Sequence, residues 1–184
     1  MARLFIGIKL PPGYQDRVRP LTQEMDKTLH TRVNWTRPGN WHLTLKFLGD
    51  TEAARIPSVI DTLASIERPA FTMQAGGAGA FPNPGQPRVI WLGLDRGAEQ
   101  CEDLAAAVND VLASVDIPRE KKRFRPHLTL GRIRKPGKED WQTVLDRAAR
   151  ETWPAFTVDR FTLWQSELKP TGAVHTAIAQ FNLK

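Results

Sequence analysis

Four residues, His42-Leu43-Thr44-Leu45, return 85 positions later as His127-Leu128-Thr129-Leu130, and Pro69-Ala70-Phe71-Thr72 returns as Pro154-Ala155-Phe156-Thr157 at the same offset. Two independent identities at one separation mark an internal repeat. The chain of 184 residues is therefore read as one domain, 1–184, made of two versions of one supersecondary unit, roughly 1–85 and 86–184. A pseudo-two-fold axis is expected to set the copies face to face.

The hydrophobic pattern repeats with the motifs. Leu4, Ile6, Ile8 and Leu10 alternate as in a strand, and so do Val89, Trp91 and Gly93 against Ile90, Leu92 and Leu94. Each strand leads into helical spacing, carried by Val18, Leu21, Met25 and Leu29 in one copy and by Leu104, Val108, Val111 and Leu112 in the other. A second helix follows each histidine strand. Its apolar stripe is Ile56, Val59, Ile60, Leu63 and Ile66, with Pro57 tolerable in the first turn, and then Trp141, Val144, Leu145 and Ala148. Phe71 to Ala75 and Phe156 to Glu167 read as closing strands, and the Pro/Gly clusters at 80–87 and 170–172 as loops. The expected fold is α+β and bilobed: two pseudo-symmetric units of mostly antiparallel sheet with outer helices and an active-site cleft between the lobes. A βαβ nucleotide-binding fold is excluded by this order, and no glycine-rich phosphate loop is present.

Alternation along a strand puts His42 and Thr44 on one face while Leu43 and Leu45 anchor the other; His127 and Thr129 repeat this. The pseudo-two-fold would bring both pairs to opposite walls of one cleft. Imidazole titrates near neutrality, so one ring can be neutral while the other is protonated, giving a general base and a general acid with no metal. Threonine hydroxyls can donate to the non-bridging oxygens of a phosphate. The two motifs are identical, so chemistry alone does not say which histidine is which.

Charge points to the same ligand. The net +6 is concentrated between Arg119 and Lys138, where nine Lys/Arg and one acidic residue give +8, and the rest of the chain is −2. Such a patch, surrounding the second motif, is the footprint of a protein that meets phosphates. With 41% hydrophobic and 25% charged residues the chain is not disordered or fibrous. The apolar run Leu4 to Ile8 is too short for a signal core or a membrane span. The single cysteine, Cys101, can form no internal disulfide, and a reducing cytoplasmic setting is expected. HExxH, GxSxG and metal-carboxylate patterns are absent.

With these motifs the chain resembles the two-histidine (2H) phosphoesterases with paired His-x-Thr-x motifs, and among them the bacterial and archaeal LigT-like RNA 2′,3′-cyclic phosphodiesterases. The resemblance runs over nearly the whole length: Arg3-Leu4-Phe5-Ile6 with Leu10-Pro11, Trp41 to Gly49, Val89 to Gly93, Phe124 to Arg132, and Phe161-Thr162-Leu163-Trp164. It implies that His42 is the proton donor and His127 the proton acceptor, that Thr44 and Thr129 orient the phosphate, and that Arg132 contacts it. Arg132 lies five residues after His127 and would face away on a regular strand, but Gly131 can mark a bulge that re-aims it. The chain departs from the family at the C-terminus, where relatives often carry an aromatic residue and Val174-His175-Thr176 stands here.

Weaker candidates are Lys46, on the His42 face by parity, and Phe5, Trp91 and Trp164 as stacking platforms for unpaired bases. His30, after a helix, and Cys101, at a helix start, are read as bystanders. The expected activity is hydrolysis of 2′,3′-cyclic phosphate ends on RNA or cyclic nucleotides, with no cofactor and no metal. By the resemblance it leaves a 2′-phosphomonoester. A monomer without membrane attachment is expected. Two alternatives stay open: 2′-5′ RNA ligation, and a non-catalytic module that binds RNA ends.

Overall fold

The computed structural model describes residues 1–135, 137–170 and 172–184. In chain order the elements are β1 (Ala2–Lys9), α1 (Pro12–Thr28), β2 (Arg32–Trp35), β3 (His42–Thr51), a 3-10 turn (Ala53–Arg55), α2 (Ile56–Ala64), β4 (Phe71–Phe81), β5 (Val89–Arg96), α3 (Ala98–Ala113), β6 (Leu128–Lys135), α4 (Trp141–Ala149), β7 (Phe156–Val158), β8 (Arg160–Lys169) and β9 (Gly172–Asn182). Proline in the first turn opens α1 and α2, where its missing N–H costs nothing. Asp140 caps α4 by accepting from the Thr143 amide.

The strands run β7-β4-β5-β6-β3-β1-β8-β9, with β2 on β6, and their pairings are antiparallel. One lobe is β3-β1-β8-β9 and the other β7-β4-β5-β6; among the described residues the β3–β6 strand pairing between them is Leu43 with Leu128. The repeat equates β1 with β5, β3 with β6, and β4 with β7-β8. Yet β4, from the first repeat, lies beside β5, and β8, from the second, lies beside β1. Each lobe therefore takes its third strand from the other repeat, and the spatial lobes are not the halves 1–85 and 86–184.

The helices cross over in the same way. Tyr14 of α1 accepts from the Ala75 amide on β4 (2.9 Å) and donates to the Pro154 carbonyl (2.6 Å). Asn109 of α3 accepts from Lys46 on β3. The helix-facing side of the sheet is the core: Leu4, Ile6, Ile8, Leu43, Leu45, Ile90, Leu92, Leu128 and Leu130 are all buried there. The other face of the curled sheet is left to the cleft.

The sequence reading differs from the structure in four places. β4 continues to Phe81 instead of ending at Ala75. The closing strand of the second copy breaks at Asp159 into β7 and β8. The periodicity predicts neither β2 nor β9. β9 buries only Phe181, and its Ala-rich positions elsewhere stay part-exposed, so it lacks the large apolar alternation by which strands are recognised. No helix among the described residues is long and apolar enough to cross a membrane.

Candidate active site

The Leu43–Leu128 pair fixes the geometry of both motifs. Extending its antiparallel register sets His42 across from Thr129 and Thr44 across from His127, so the four side chains form two diagonals about the pseudo-two-fold. Both leucines point into the core, which by strand parity turns the polar pairs toward the cleft.

Each imidazole is oriented by the same device. His42 Nδ1 lies 2.6 Å from the Asn40 carbonyl, and His127 Nδ1 lies 2.7 Å from the Arg125 carbonyl, two residues back in both cases. A carbonyl can only accept, so Nδ1 carries the proton and Nε2 keeps its lone pair for the cleft. The Asn40 amide also donates to the Ala173 carbonyl at 2.7 Å, which ties the approach to His42 onto β9. Gly7, opposite Thr44, leaves the room that the His42 ring occupies: a Cβ there would stand 2.7 Å from the Leu43 carbonyl oxygen and 3.4 Å from His42 Cδ2.

Both histidines are held below their ordinary range. Burial pushes His42 down to about 4; its Asn40 hydrogen bond opposes this, and the positive potentials of His175 and His127 add to it. Burial also lowers His127, with the Arg125 carbonyl opposing and the Arg132 guanidinium contributing. The Arg132 effect places that cation within electrostatic reach of His127.

A bulge follows each motif at the same point. On β3, Gly7 pairs with Thr44 and Ile6 with Lys46, so Leu45 is the extra residue; on β6, Trp91 pairs with Thr129 and Ile90 with Gly131, so Leu130 is. One extra residue reverses the parity of everything after it. Arg132 accordingly emerges exposed on the His127 face.

The same reversal corrects the reading of Lys46. It does not share the His42 face: it turns to the helix side, is 3% exposed, and its Nζ donates to Asn109 Oδ1 (2.7 Å) and the Pro118 carbonyl (2.8 Å). Two of the expected stacking platforms are corrected as well. Phe5, 3% exposed, has its ring 4.6 Å from that of His42 and 6.2 Å from that of Trp164, which is itself 9% exposed. Phe5 backs the His42 ring and Trp164 stacks behind Phe5, and neither leaves an open face for a base. Trp91 is half-buried on the other wall, its centroid 6.4 Å from His127, lying over Gly79, where a Cβ would come within 2.3 Å of the indole.

Sequence reasoning missed two neighbours, Phe81 and Phe47, and noted His175 only as a departure from the family. His175, on β9, stands edge-on to His42 at 5.4 Å and to Phe5 at 4.9 Å. Phe81 stands edge-on to His127 at 5.0 Å. Phe47 is exposed beside Phe5. The repeat itself held the signal for Phe47, because the 85-residue offset equates it with Arg132. His30 is exposed away from these contacts, and the buried thiol of Cys101, pushed up to about 12 and 3.8 Å from Met73 Sδ, is an unreactive core group.

Two quasi-equivalent walls each offer an imidazole and a hydroxyl, and Arg132 stands beside one of them. The chain belongs to the LigT-like phosphoesterase family, whose model matches it twice, over residues 8–91 and 92–175. Curated proteins named RNA 2′,3′-cyclic phosphodiesterase are similar to it: that of Archaeoglobus fulgidus is 30% identical over 97% of this chain and 99% of its own, and that of Methanothermobacter thermautotrophicus 32% identical over 98% of each. Among solved structures it is similar to TT0787 of Thermus thermophilus, at 30% identity, TM-score 0.74 and coverage of 98% and 97%. It is also similar to E. coli LigT complexed with 3′-AMP, at 25% identity, TM-score 0.75 and coverage of 100% and 98%.

Proposed function

We propose that the cleft hydrolyses 2′,3′-cyclic phosphate ends of RNA, and cyclic nucleotides, to 2′-phosphomonoesters by general acid and base catalysis from His42 and His127. The observation that carries this is the matched orientation of the two rings, each with Nδ1 committed to a backbone carbonyl and Nε2 left for the cleft. The names of the full-length relatives support the substrate class.

In this reading His127 Nε2 takes a proton from water as its oxygen bonds to phosphorus in line with the departing ribose oxygen. As that P–O bond breaks, His42 gives its Nε2 proton to the oxygen released. Each histidine then holds the other's starting protonation state, and exchange with solvent resets them. Thr44, Thr129 and Arg132 meet the charge on the free phosphoryl oxygens, which helps most where water is excluded. His42, held near 4, is mainly neutral in the free chain at neutral pH. The negative phosphate opposes that shift and so favours the charged acid as the substrate arrives.

Exposed Lys121, Lys122, Arg123 and Arg125, on the segment leading into His127, would carry the RNA strand away from the site. Incubation with 2′,3′-cyclic AMP, followed by chromatography against 2′-AMP and 3′-AMP, tests the activity and its direction together. Formation of 2′-AMP is expected. A 3′-AMP product overturns the choice of leaving oxygen, and no turnover overturns the enzymatic reading in favour of a binding module.

A further inference from the structure

The carbonyls that orient the two histidines belong to repeat-equivalent residues, Asn40 and Arg125, and the side chains of these two do different things. Arg125 is exposed. Asn40 is half-buried, and its side-chain amide donates to the Ala173 carbonyl on β9 at 2.7 Å. The loop around it, 36–41, is pinned to two more elements. Thr36 donates to β6 twice, from its amide to the Leu130 carbonyl (2.8 Å) and from its hydroxyl to the Thr129 carbonyl (2.9 Å). The Gly39 amide donates to Gln15 Oε1 on α1 (2.9 Å), and the backbone amide of Asn40 closes a turn onto the Arg37 carbonyl (3.0 Å). Gly39 makes that turn with φ at +88°, a conformation glycine adopts at little cost. The acceptor for His42 therefore sits on a loop strapped to β6, α1 and β9, whereas the acceptor for His127 sits on a segment of exposed cations.

We propose that Asn40 is a positioning residue for the general acid: by fastening its own peptide unit to β9 it holds the carbonyl on which the His42 Nδ1 proton rests, and so keeps Nε2 aimed into the cleft. This rests on the reading of His42 as the proton donor. A neutral ring with no fixed acceptor at Nδ1 populates both tautomers, and an acid serves only when its proton points at the leaving oxygen. The carbonyl has a second effect. A charged ring donates to it more strongly than a neutral one, which favours the protonated state against the burial that disfavours it. Because the tie is made to the strand that carries His175, one contact sets both the acceptor of His42 and the approach of its edge-on neighbour.

Nitrogen-15 nuclear magnetic resonance of the imidazoles in the free chain separates this from a merely structural role, because it reads the ring itself and needs no turnover. At neutral pH both His42 and His127 of the wild type should carry the proton on Nδ1. Asn40→Ala should turn His42 into a mixture of tautomers and leave His127 unmoved. Asn40→Leu, which keeps the side chain's size and removes the donor, should do the same where the smaller residue loosens the fold. The His42 titration should move further down, because the charged ring loses a held acceptor. The titratable and charged groups around it, His175 on β9, His127 at the start of β6 and its register partner Lys9 on β1, are the same in wild type and variants. With 2′,3′-cyclic AMP as substrate, kcat should fall by about 10- to 100-fold, the usual cost of losing the group that orients a histidine, with KM within about 3-fold. An unchanged His42 tautomer, a titration that rises toward 6.5 as solvent enters, or an unchanged kcat beside a shifted tautomer overturns the proposal. If the wild-type chain turns over no cyclic nucleotide yet the tautomer shift occurs, the phosphodiesterase reading fails and the orienting role of Asn40 stands.

Discussion

The imidazole of His175 stands at 87° to that of His42 with centroids 5.4 Å apart, and both rings touch Phe5. A protonated His175 disfavours a proton on His42, and burial lowers all three cleft histidines. In the proposed mechanism one of His42 and His127 is charged and the other neutral, so kcat/KM should peak below pH 6.5 and fall as pH rises through that value. His175→Gln removes the neighbouring charge, so the limb governed by His42 should move to higher pH. A kcat/KM profile and a nuclear magnetic resonance titration of the His42 ring check this, and an unmoved or lowered His42 titration contradicts it.

If His42 and His127 act as proposed, removing either should be costly. His42→Ala and His127→Ala should each lower turnover of 2′,3′-cyclic AMP by about 10² to 10⁴, the usual worth of a general acid or base. Circular dichroism on the same samples separates lost chemistry from lost folding. Near-wild-type turnover in either folded variant would end this account of the site.

Stability should also depend on the His42 proton. Its folded value, about 4, is below that of an unfolded histidine, so between pH 6.5 and about 4 the unfolded chain binds a proton that the folded chain refuses. The stabilisation is present above pH 6.5 and is lost as pH falls, at up to about 1.4 kcal/mol per pH unit for one such group. Denaturant midpoints measured from pH 7.5 to 4.5 should therefore decline less steeply in His42→Gln than in the wild type.

Lys46 offers a different separation of roles. Its ammonium supplies Asn109 and the Pro118 carbonyl, joining β3 to α3 and to the segment that enters the basic loop. Lys46→Met leaves both acceptors without that donor and should cost about 1–3 kcal/mol of stability. Turnover of a cyclic mononucleotide should stay within a few-fold. A variant of unchanged stability and sharply reduced kcat would return Lys46 to the cleft.

The exposed basic segment should matter only to polymers. Reversing the charge of Lys121, Lys122 and Arg123 should weaken long RNA ends more than a cyclic mononucleotide. The wild-type affinity for RNA should fall with salt at a log-log slope of about −0.7 per phosphate neutralised. Equal losses for both substrates would mean that these residues support the fold instead of tracking a strand.

Much of this molecule was legible because two strings of four residues recur. Their common offset gave the duplication, and alternation around His42 and His127 gave the faces on which the paired motifs lie. Parity failed at Lys46 because a single bulged residue, Leu45, has no signature in an apolar strand; the same event at Leu130 was anticipated because Gly131 follows it. Phe5 and Trp164 looked like open rings because Phe5 packs against both Trp164 and His42, which lie far from it in the chain. The place of His175 beside His42 was out of reach for the same reason: nothing in β9 says that it pairs with β8 and curls back over β1.

The exchange of β4 and β8 between repeats bears on how such a chain can exist at all. One repeat alone would leave the edge of its first strand waiting for a third strand that it cannot supply to itself, while its own closing strand had nowhere to lie. Two single-repeat chains would satisfy each other by trading those strands, as domain-swapped partners do. The fused chain holds within one molecule an embrace that separate copies would have to find by collision, and severing it near residue 85 would yield two fragments that each need the other to become whole.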